Sequence, residues 1–260
     1  MTDDDRLQLL HDQGYAVFPG FLDRATTARI RELIDHLLPV ATSEPATGPK
    51  VMRHPIDDPL MTELLLRPEL LELARRLARS VRVEDLMMLE QVLIRTDRKA
   101  PPYGPGGWHV DMAFRPADYA STPRGTYYHM VHLCNDVGPG GGSFMIVPGS
   151  HNKMYAFTGS IPEYADPKGI GIDQITAAGV DLSAGIEVHG AEGDLLVFNP
   201  MCAHSASGNC TDQPRYVYFA SFMDLSAAYL RDHLRVTAYR DKIPDYLRAA
   251  LPPDLHLLDR

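Results

Sequence analysis

Along the first third of the chain apolar residues recur with the period of a helix. Ile30, Leu33, Ile34, Leu37 and Leu38 fall on one helical face, Asp23 precedes them as an N-cap, and Pro39 stops the run. A second helix is expected after Pro68, with Leu70, Ala74, Leu77 and Ala78 along one side. Between the two, residues 41–58 are rich in Pro, Thr, Ser and Gly and read as a surface loop, a candidate cover for a site. Neither helix carries chemistry of its own.

From Val81 onward the texture changes to short apolar runs separated by Gly and Pro. Strands are predicted over Leu86–Arg95, Thr126–Asn135, Ser143–Val147, Gly185–Val188, Leu195–Asn199 and Tyr216–Phe222. Strands of this length and spacing suggest a β-barrel or two-sheet jelly roll with helices packed outside, a mainly β fold with flanking helices. Residues 159–183 hold Pro162, Pro167 and few apolar runs, and read as an insertion that forms part of a lid. The expected organisation is one domain over residues 1–260, with a helical part to about residue 80, a barrel core over 81–225 and a helical tail over 226–260.

Composition sharpens this picture mainly by exclusion. With 260 residues and 45% hydrophobic content the chain can bury a full core. A net charge of −9 and a pI near 5.6 argue against nucleic acid, whose phosphates need clustered Lys and Arg. No run reaches the roughly eighteen apolar residues of a membrane helix, and the acidic start Met1-Thr2-Asp3-Asp4-Asp5 is unlike a signal peptide, so a cytoplasmic protein without membrane association is expected. Cys134, Cys202 and Cys210 form no CxxC pair and indicate neither a disulfide framework nor a zinc ribbon. Cys202 lies two residues before His204 and is read as a small buried strand residue.

The candidate chemistry lies in Trp108-His109-Val110-Asp111 and, far downstream, in His204. A lone His-x-Asp is expected about once by chance in a chain of this composition, so its surroundings decide. In a strand, residues two apart share a face, so His109 and Asp111 can both reach one metal while Val110 turns away. His204 is expected from a strand across the barrel. Two imidazoles and one carboxylate leave one side of an ion open, the ligand set of non-haem Fe(II) oxygenases. Arg215 opens the alternating run Arg215, Val217, Phe219, Ser221; a guanidinium inside an apolar barrel needs a carboxylate partner, and the far carboxylate of 2-oxoglutarate suits it.

These motifs, with Gly14-Tyr15-Ala16-Val17-Phe18-Pro19-Gly20-Phe21, the stretch Gly141-Gly142-Ser143-Phe144-Met145-Ile146-Val147-Pro148-Gly149-Ser150-His151, and Gly193-Asp194-Leu195-Leu196-Val197-Phe198, resemble the phytanoyl-CoA dioxygenase-like family of Fe(II)/2-oxoglutarate oxygenases over about residues 10–225. The resemblance implies a double-stranded β-helix, iron bound by His109, Asp111 and His204, and 2-oxoglutarate held by Arg215 with help from Gln91, in phase with Leu89 and Leu93. It implies hydroxylation of a C–H bond with O2, 2-oxoglutarate leaving as succinate and CO2. Desaturation, epimerisation or ring closure use the same oxidant. The carboxylate at Asp111 favours hydroxylation over halogenation, since related halogenases carry Gly or Ala there.

Two positions depart from the family pattern. Many members place a Ser two residues after the distal histidine to share the 2-oxoglutarate carboxylate; here it is Ala206, flanked by Ser205 and Ser207. A Trp that many members carry near the co-substrate is Val131, which puts His129 on the same inward face as a candidate substrate contact. Pro148-Gly149-Ser150-His151 reads as a turn that ends a strand, with His151 away from the metal. Met112, Phe114 and Arg115, with Tyr103, Arg53 and His54, are expected around the mouth, a mixture of apolar and cationic groups suited to a small or medium organic substrate bearing an acidic group. The competing readings are a non-catalytic ligand-binding barrel and a zinc hydrolase, neither of which accounts for the whole set including Arg215. Oligomeric state is left open by the sequence.

Overall fold

The computed structural model describes residues 1–40, 48–53, 56–99, 104–161 and 170–227. The tail expected over 226–260 thus falls almost wholly outside the described residues, as do Tyr103 and His54.

Helix α1 (Asp3–Gln13) begins with a reciprocal capping box between Thr2 and Asp5 and ends at Gly14, whose φ of 79° is left-handed. A Cβ at Gly14 would run into the Cys202 thiol and the His151 ring, so both conformation and space demand glycine there. Strand β1 (Tyr15–Phe18) follows directly, then α2 (Arg24–Leu37), capped by Asp23 as its sequence predicts. Strand β2 (Lys50–Arg53) and helices α3 (Pro59–Leu65) and α4 (Pro68–Ala78) complete the N-terminal third. The stretch expected to be loop therefore contains a strand. Four residues carry too little periodicity to announce it, and its backbone hydrogen bonds come from a distant partner.

That partner is β3 (Leu86–Thr96). Helix α5 (Pro116–Ala120), β4 (Tyr128–Leu133), β5 (Phe144–Ile146), α6 (Ser150–Ser160), α7 (Ile172–Ala177), β6 (Ile186–Val188), β7 (Leu195–Phe198), β8 (His204–Ala206) and β9 (Arg215–Asp224) follow. Every strand predicted from the sequence is present, with ends shifted by at most two residues. The strands form two antiparallel sheets, one of six strands in the order β1-β7-β4-β9-β3-β2 and one of three in the order β6-β5-β8.

Alternation sorts the large sheet into two faces. Outward residues such as Leu93, Met130, Val197, Tyr218 and Ala220 pack with Ile30 and Ile34 of α2, Met61 and Leu65 of α3, and Leu70 and Ala74 of α4. Inward residues Val17, Val131, Leu196 and Phe198 meet Phe144, Ile146 and Val188 of the small sheet. The molecule is thus a mainly β structure of two antiparallel sheets flanked by helices. A third cluster, with Val110, Phe114, Met154, Ile170 and Met201 buried in it, fills the space beside the His-x-Asp segment.

Candidate metal centre

His109 and His204 are backbone neighbours: each donates its N–H to the other's carbonyl, at 3.0 and 2.9 Å. Val110 makes the same reciprocal pair with Ile170, and the Asp111 N–H donates to the Pro200 carbonyl at 3.1 Å. His109 and Val110 therefore sit in isolated bridges with Asp111 just beyond them, and His204 comes from an adjoining segment where the sequence suggested a strand across a barrel. The expected alternation survives, because the bridges hold Val110 extended and bury it while His109 and Asp111 turn the other way.

The side chains converge. One ligand atom from each of His109, Asp111 and His204 lies within 4.8 Å of the others. His109 Nε2 is 3.6 Å from Asp111 Oδ1, and His204 Nε2 is 3.3 Å from Oδ2. Both Nδ1 atoms face acceptors, His109 the Gly107 carbonyl at 3.0 Å and His204 the Cys202 carbonyl at 2.9 Å. A carbonyl can only accept, so each Nδ1 carries the hydrogen and each Nε2 presents a lone pair to the shared space. This is the tautomer a metal requires. Burial opposes the charge of Asp111, but the surrounding imidazoles of His204, His129 and His109 outweigh it and hold the carboxyl well below the ordinary carboxylate range. The Asp111 carboxylate beside it raises His109 above its ordinary value, against the effect of burial. The His109 side chain is 47% exposed and that of His204 only 6%, so the centre opens to solvent on the His109 side.

Along β9, Arg215, Val217, Phe219 and Ser221 share the inward face, as the alternation predicts. Ser221 reaches the metal group through His129, whose Nδ1 is 2.7 Å from Ser221 Oγ and whose Nε2 is 2.9 Å from Asp111 Oδ2. Arg215, at the far end of this face, is buried; one Nη donates to Thr96 Oγ1 at 3.2 Å, and Nε has no partner among the described residues. No carboxylate among the described residues pairs with it, and burial pulls its pKa down to about 10. A buried, unpaired guanidinium on the inward face is a ready site for an anion.

Residues 10–217 match the phytanoyl-CoA dioxygenase (PhyH) family. The chain belongs to that family. The phytanoyl-CoA dioxygenase family uses Fe(II), 2-oxoglutarate and O2. Among similar solved structures is the epimerase SnoN from nogalamycin biosynthesis in complex with Fe3+, α-ketoglutarate and nogalamycin RO, at 22% identity and a TM-score of 0.63 over 85% of this chain and 83% of that one. Another is HygX from Streptomyces hygroscopicus with nickel and 2-oxoglutarate bound, at 20% identity and a TM-score of 0.60 over 86% and 87%. A third is EvdO2 from Micromonospora carbonacea var. aurantiaca complexed with 2-oxoglutarate, at 18% identity and a TM-score of 0.61 over 86% and 91%. At these identities the likeness establishes the fold that the chain shares with them. No curated protein sequence matches the chain significantly.

The other residues singled out in the sequence are engaged by protein groups as follows. Gln91 points at the helical layer: its amide donates to the Met61 carbonyl at 2.7 Å and lies 3.0 Å from the Tyr218 hydroxyl. An irregularity between Met88 and Glu90 shifts the phase of β3, so Glu90 and Val92 face inward while Gln91 and Leu93 face out. Arg115 is taken up by the carbonyls of Thr158 and Ile161 at the end of α6. Phe114 is fully buried in the third core cluster, edge-on to Tyr127, with Met112 in the same cluster. Arg53 is half-exposed on the edge strand β2 and bound to Glu90 at 2.6 Å. His129 has both nitrogens engaged by protein groups and none free for substrate. His151 stands at the start of α6, where its Nε2 meets the His11 carbonyl at 3.0 Å, away from the three ligand residues. Cys202 is buried against His151, and burial pushes its thiol up to about 12. Thr96 was missed, although it stands opposite Arg215 in the β3–β9 register.

Proposed function

We propose that the chain is an Fe(II)- and 2-oxoglutarate-dependent oxygenase that hydroxylates an unactivated C–H bond of a small or medium organic molecule. The two sheets are read as a double-stranded β-helix forming one catalytic unit. The observation that carries the proposal is the pair of imidazoles whose Nδ1 atoms are tied to backbone carbonyls while both Nε2 atoms turn toward Asp111. Two nitrogens and one carboxylate oxygen on one side suit Fe(II) and leave room for co-substrate. When bound, iron and 2-oxoglutarate activate O2 for attack on a C–H bond, 2-oxoglutarate leaving as succinate and CO2.

The chain's own residues do the holding and orienting. His109, Asp111 and His204 are the iron ligands. Arg215 holds the far carboxylate of 2-oxoglutarate with its unpaired N–H groups. Thr96 supplies the hydroxyl that Ala206 lacks: its Oγ accepts from Arg215 and keeps its own hydrogen to donate to the same carboxylate. Ser205 cannot serve, because its Oγ accepts from the Gly107 N–H and donates to the Ala206 carbonyl. Phe198, Phe144 and Phe219 around His204 and His129 keep the space beside the ligands apolar and exclude water. Epimerisation is a second reading, favoured by the likeness to the epimerase SnoN. A natural product is the substrate class suggested by nogalamycin RO in SnoN and hygromycin B in HygX.

The test is an anaerobic titration with Fe(II) and then 2-oxoglutarate, read by the visible charge-transfer band of the complex. The wild type is expected to show the band and Asp111→Ala to lose it. Arg215→Met is expected to need at least about tenfold more 2-oxoglutarate and Thr96→Val about three- to tenfold more, the loss of one charge-assisted and one neutral hydrogen-bonded contact. A wild-type protein that binds neither Fe(II) nor 2-oxoglutarate sinks the proposal.

A further inference from the structure

His129 sits on β4 facing inward, buried, and its two nitrogens are engaged in different ways. Nε2 lies 2.9 Å from Asp111 Oδ2, while Nδ1 lies 2.7 Å from Ser221 Oγ and 3.7 Å from Glu90 Oε1. It is not one of the three residues whose ligand atoms converge. An ionised carboxylate only accepts hydrogen bonds, so the nitrogen facing Asp111 is an N–H. In the neutral ring Nδ1 then carries the lone pair, and the Ser221 hydroxyl donates to it.

The ring has little freedom to leave this arrangement. Phe198 packs at 4.8 Å between centroids, and Tyr127 and Phe219 meet the ring edge-on at 5.0 and 5.4 Å. Glu90, which faces the same ring, is fixed in turn by Arg53. Asp111 is itself only partly buried and has no other side-chain hydrogen-bond donor besides the histidines around it among the described residues. Without His129 its carboxylate could turn about its own axis, and an ion would have to fix that rotation on binding.

We propose that His129 is a positioning residue: by holding Oδ2 of Asp111 it fixes, before any ion binds, the orientation in which the carboxylate faces His109 and His204. The inference rests on the oxygenase reading above and adds a fourth residue that governs the centre without touching the ion. Ser221 acts one step further out by setting which nitrogen of His129 bears the hydrogen. Ligand-orienting hydrogen bonds of this kind commonly change metal affinity by about 10- to 100-fold when removed.

The experiment is anaerobic equilibrium binding of Fe(II) to the apoprotein, in competition with a coloured chelator, for wild type, His129→Leu, His129→Gln and Ser221→Ala. Thermal melting of each apoprotein runs alongside. His129→Leu keeps the bulk and loses the donor, and is expected to bind Fe(II) about 10- to 100-fold more weakly; His129→Gln restores an N–H donor and is expected within about fivefold of wild type. His129→Leu binding as tightly as wild type overturns the inference, and so do Leu and Gln variants equally weakened, since donation would then not be the cause. Should His129→Leu fail to fold, Ser221→Ala decides: a loss of about threefold or more at unchanged melting supports the positioning role, and unchanged affinity overturns it. Failure of the wild type itself to bind Fe(II) removes the oxygenase reading, an outcome distinct from any difference among variants.

Discussion

Asp111 brings a histidine on each side under one field, and the pH dependence of the centre follows from that. Its carboxylate raises His109 above the ordinary imidazole value. A protonated Nε2 has no lone pair, so Fe(II) affinity is expected to fall as pH drops through that raised value. In the apoprotein the same interaction acts oppositely on stability. A raised folded-state value stabilises the fold fully below the unfolded value, and that contribution is lost as pH rises through the folded value. Titrating Fe(II) binding and apoprotein melting over the same range checks both signs, and an affinity that does not change on acidification would show that His109 is not a ligand. The convergence of His109, Asp111 and His204, and the inward face of Arg215, were legible because alternation along an extended chain is a local property. The role of His129 was not, because Asp111 and Ser221 approach it from segments 18 and 92 residues away. Arg115 and Phe114 misled for a related reason: closeness to the triplet in sequence put them near it in expectation, while α6 and Tyr127 draw them into packing.

Among the elements, the junction of α1 and β1 is the most constrained. Gly14 must hold a left-handed conformation with no room for a methyl group between Cys202 and His151. Its carbonyl also accepts the Asn199 N–H at 2.8 Å, tying the end of α1 to the segment that leads into His204. Gly14→Ala is expected to destabilise the protein by about 1–3 kcal/mol, seen as a lower denaturation midpoint with an unchanged slope. Cys202→Ala in that background should recover part of the loss by removing the clashing sulfur; no recovery would place the cost in the backbone or against the His151 ring. Most strands were legible from apolar runs between Gly and Pro, and α2 and α4 from their caps and stripes. Strand β2 was not, and neither was the outward phase of Gln91, since both depend on how β3 pairs and where it is irregular. Helix α1 had its signal in the sequence, Thr2 with Asp5 at one end and Gly14 at the other, and went unused because its apolar stripe is weak.

At the scale of the whole molecule, the ligands come from segments nearly a hundred residues apart that meet only when both sheets have formed. Fe(II) with 2-oxoglutarate should therefore bind the folded chain alone and stabilise it by mass action, about 2.7 kcal/mol at a hundredfold excess over the dissociation constant. For a chain of this size that is a rise in melting temperature of roughly 5–10 °C, and it should vanish in Asp111→Ala. An equal rise in that variant would mean that the ligands stabilise some other part of the protein. No helix among the described residues is long and apolar enough to cross a membrane, in keeping with the charged composition. The unequal exposure of the two histidines also bears on the handling of the protein. An ion lodged between them leaves by way of His109 without any strand having to part, so a chelating buffer would strip the centre while the fold stays whole. Preparations washed that way would look healthy by every test of shape and be silent in every assay, until iron was given back in the absence of air.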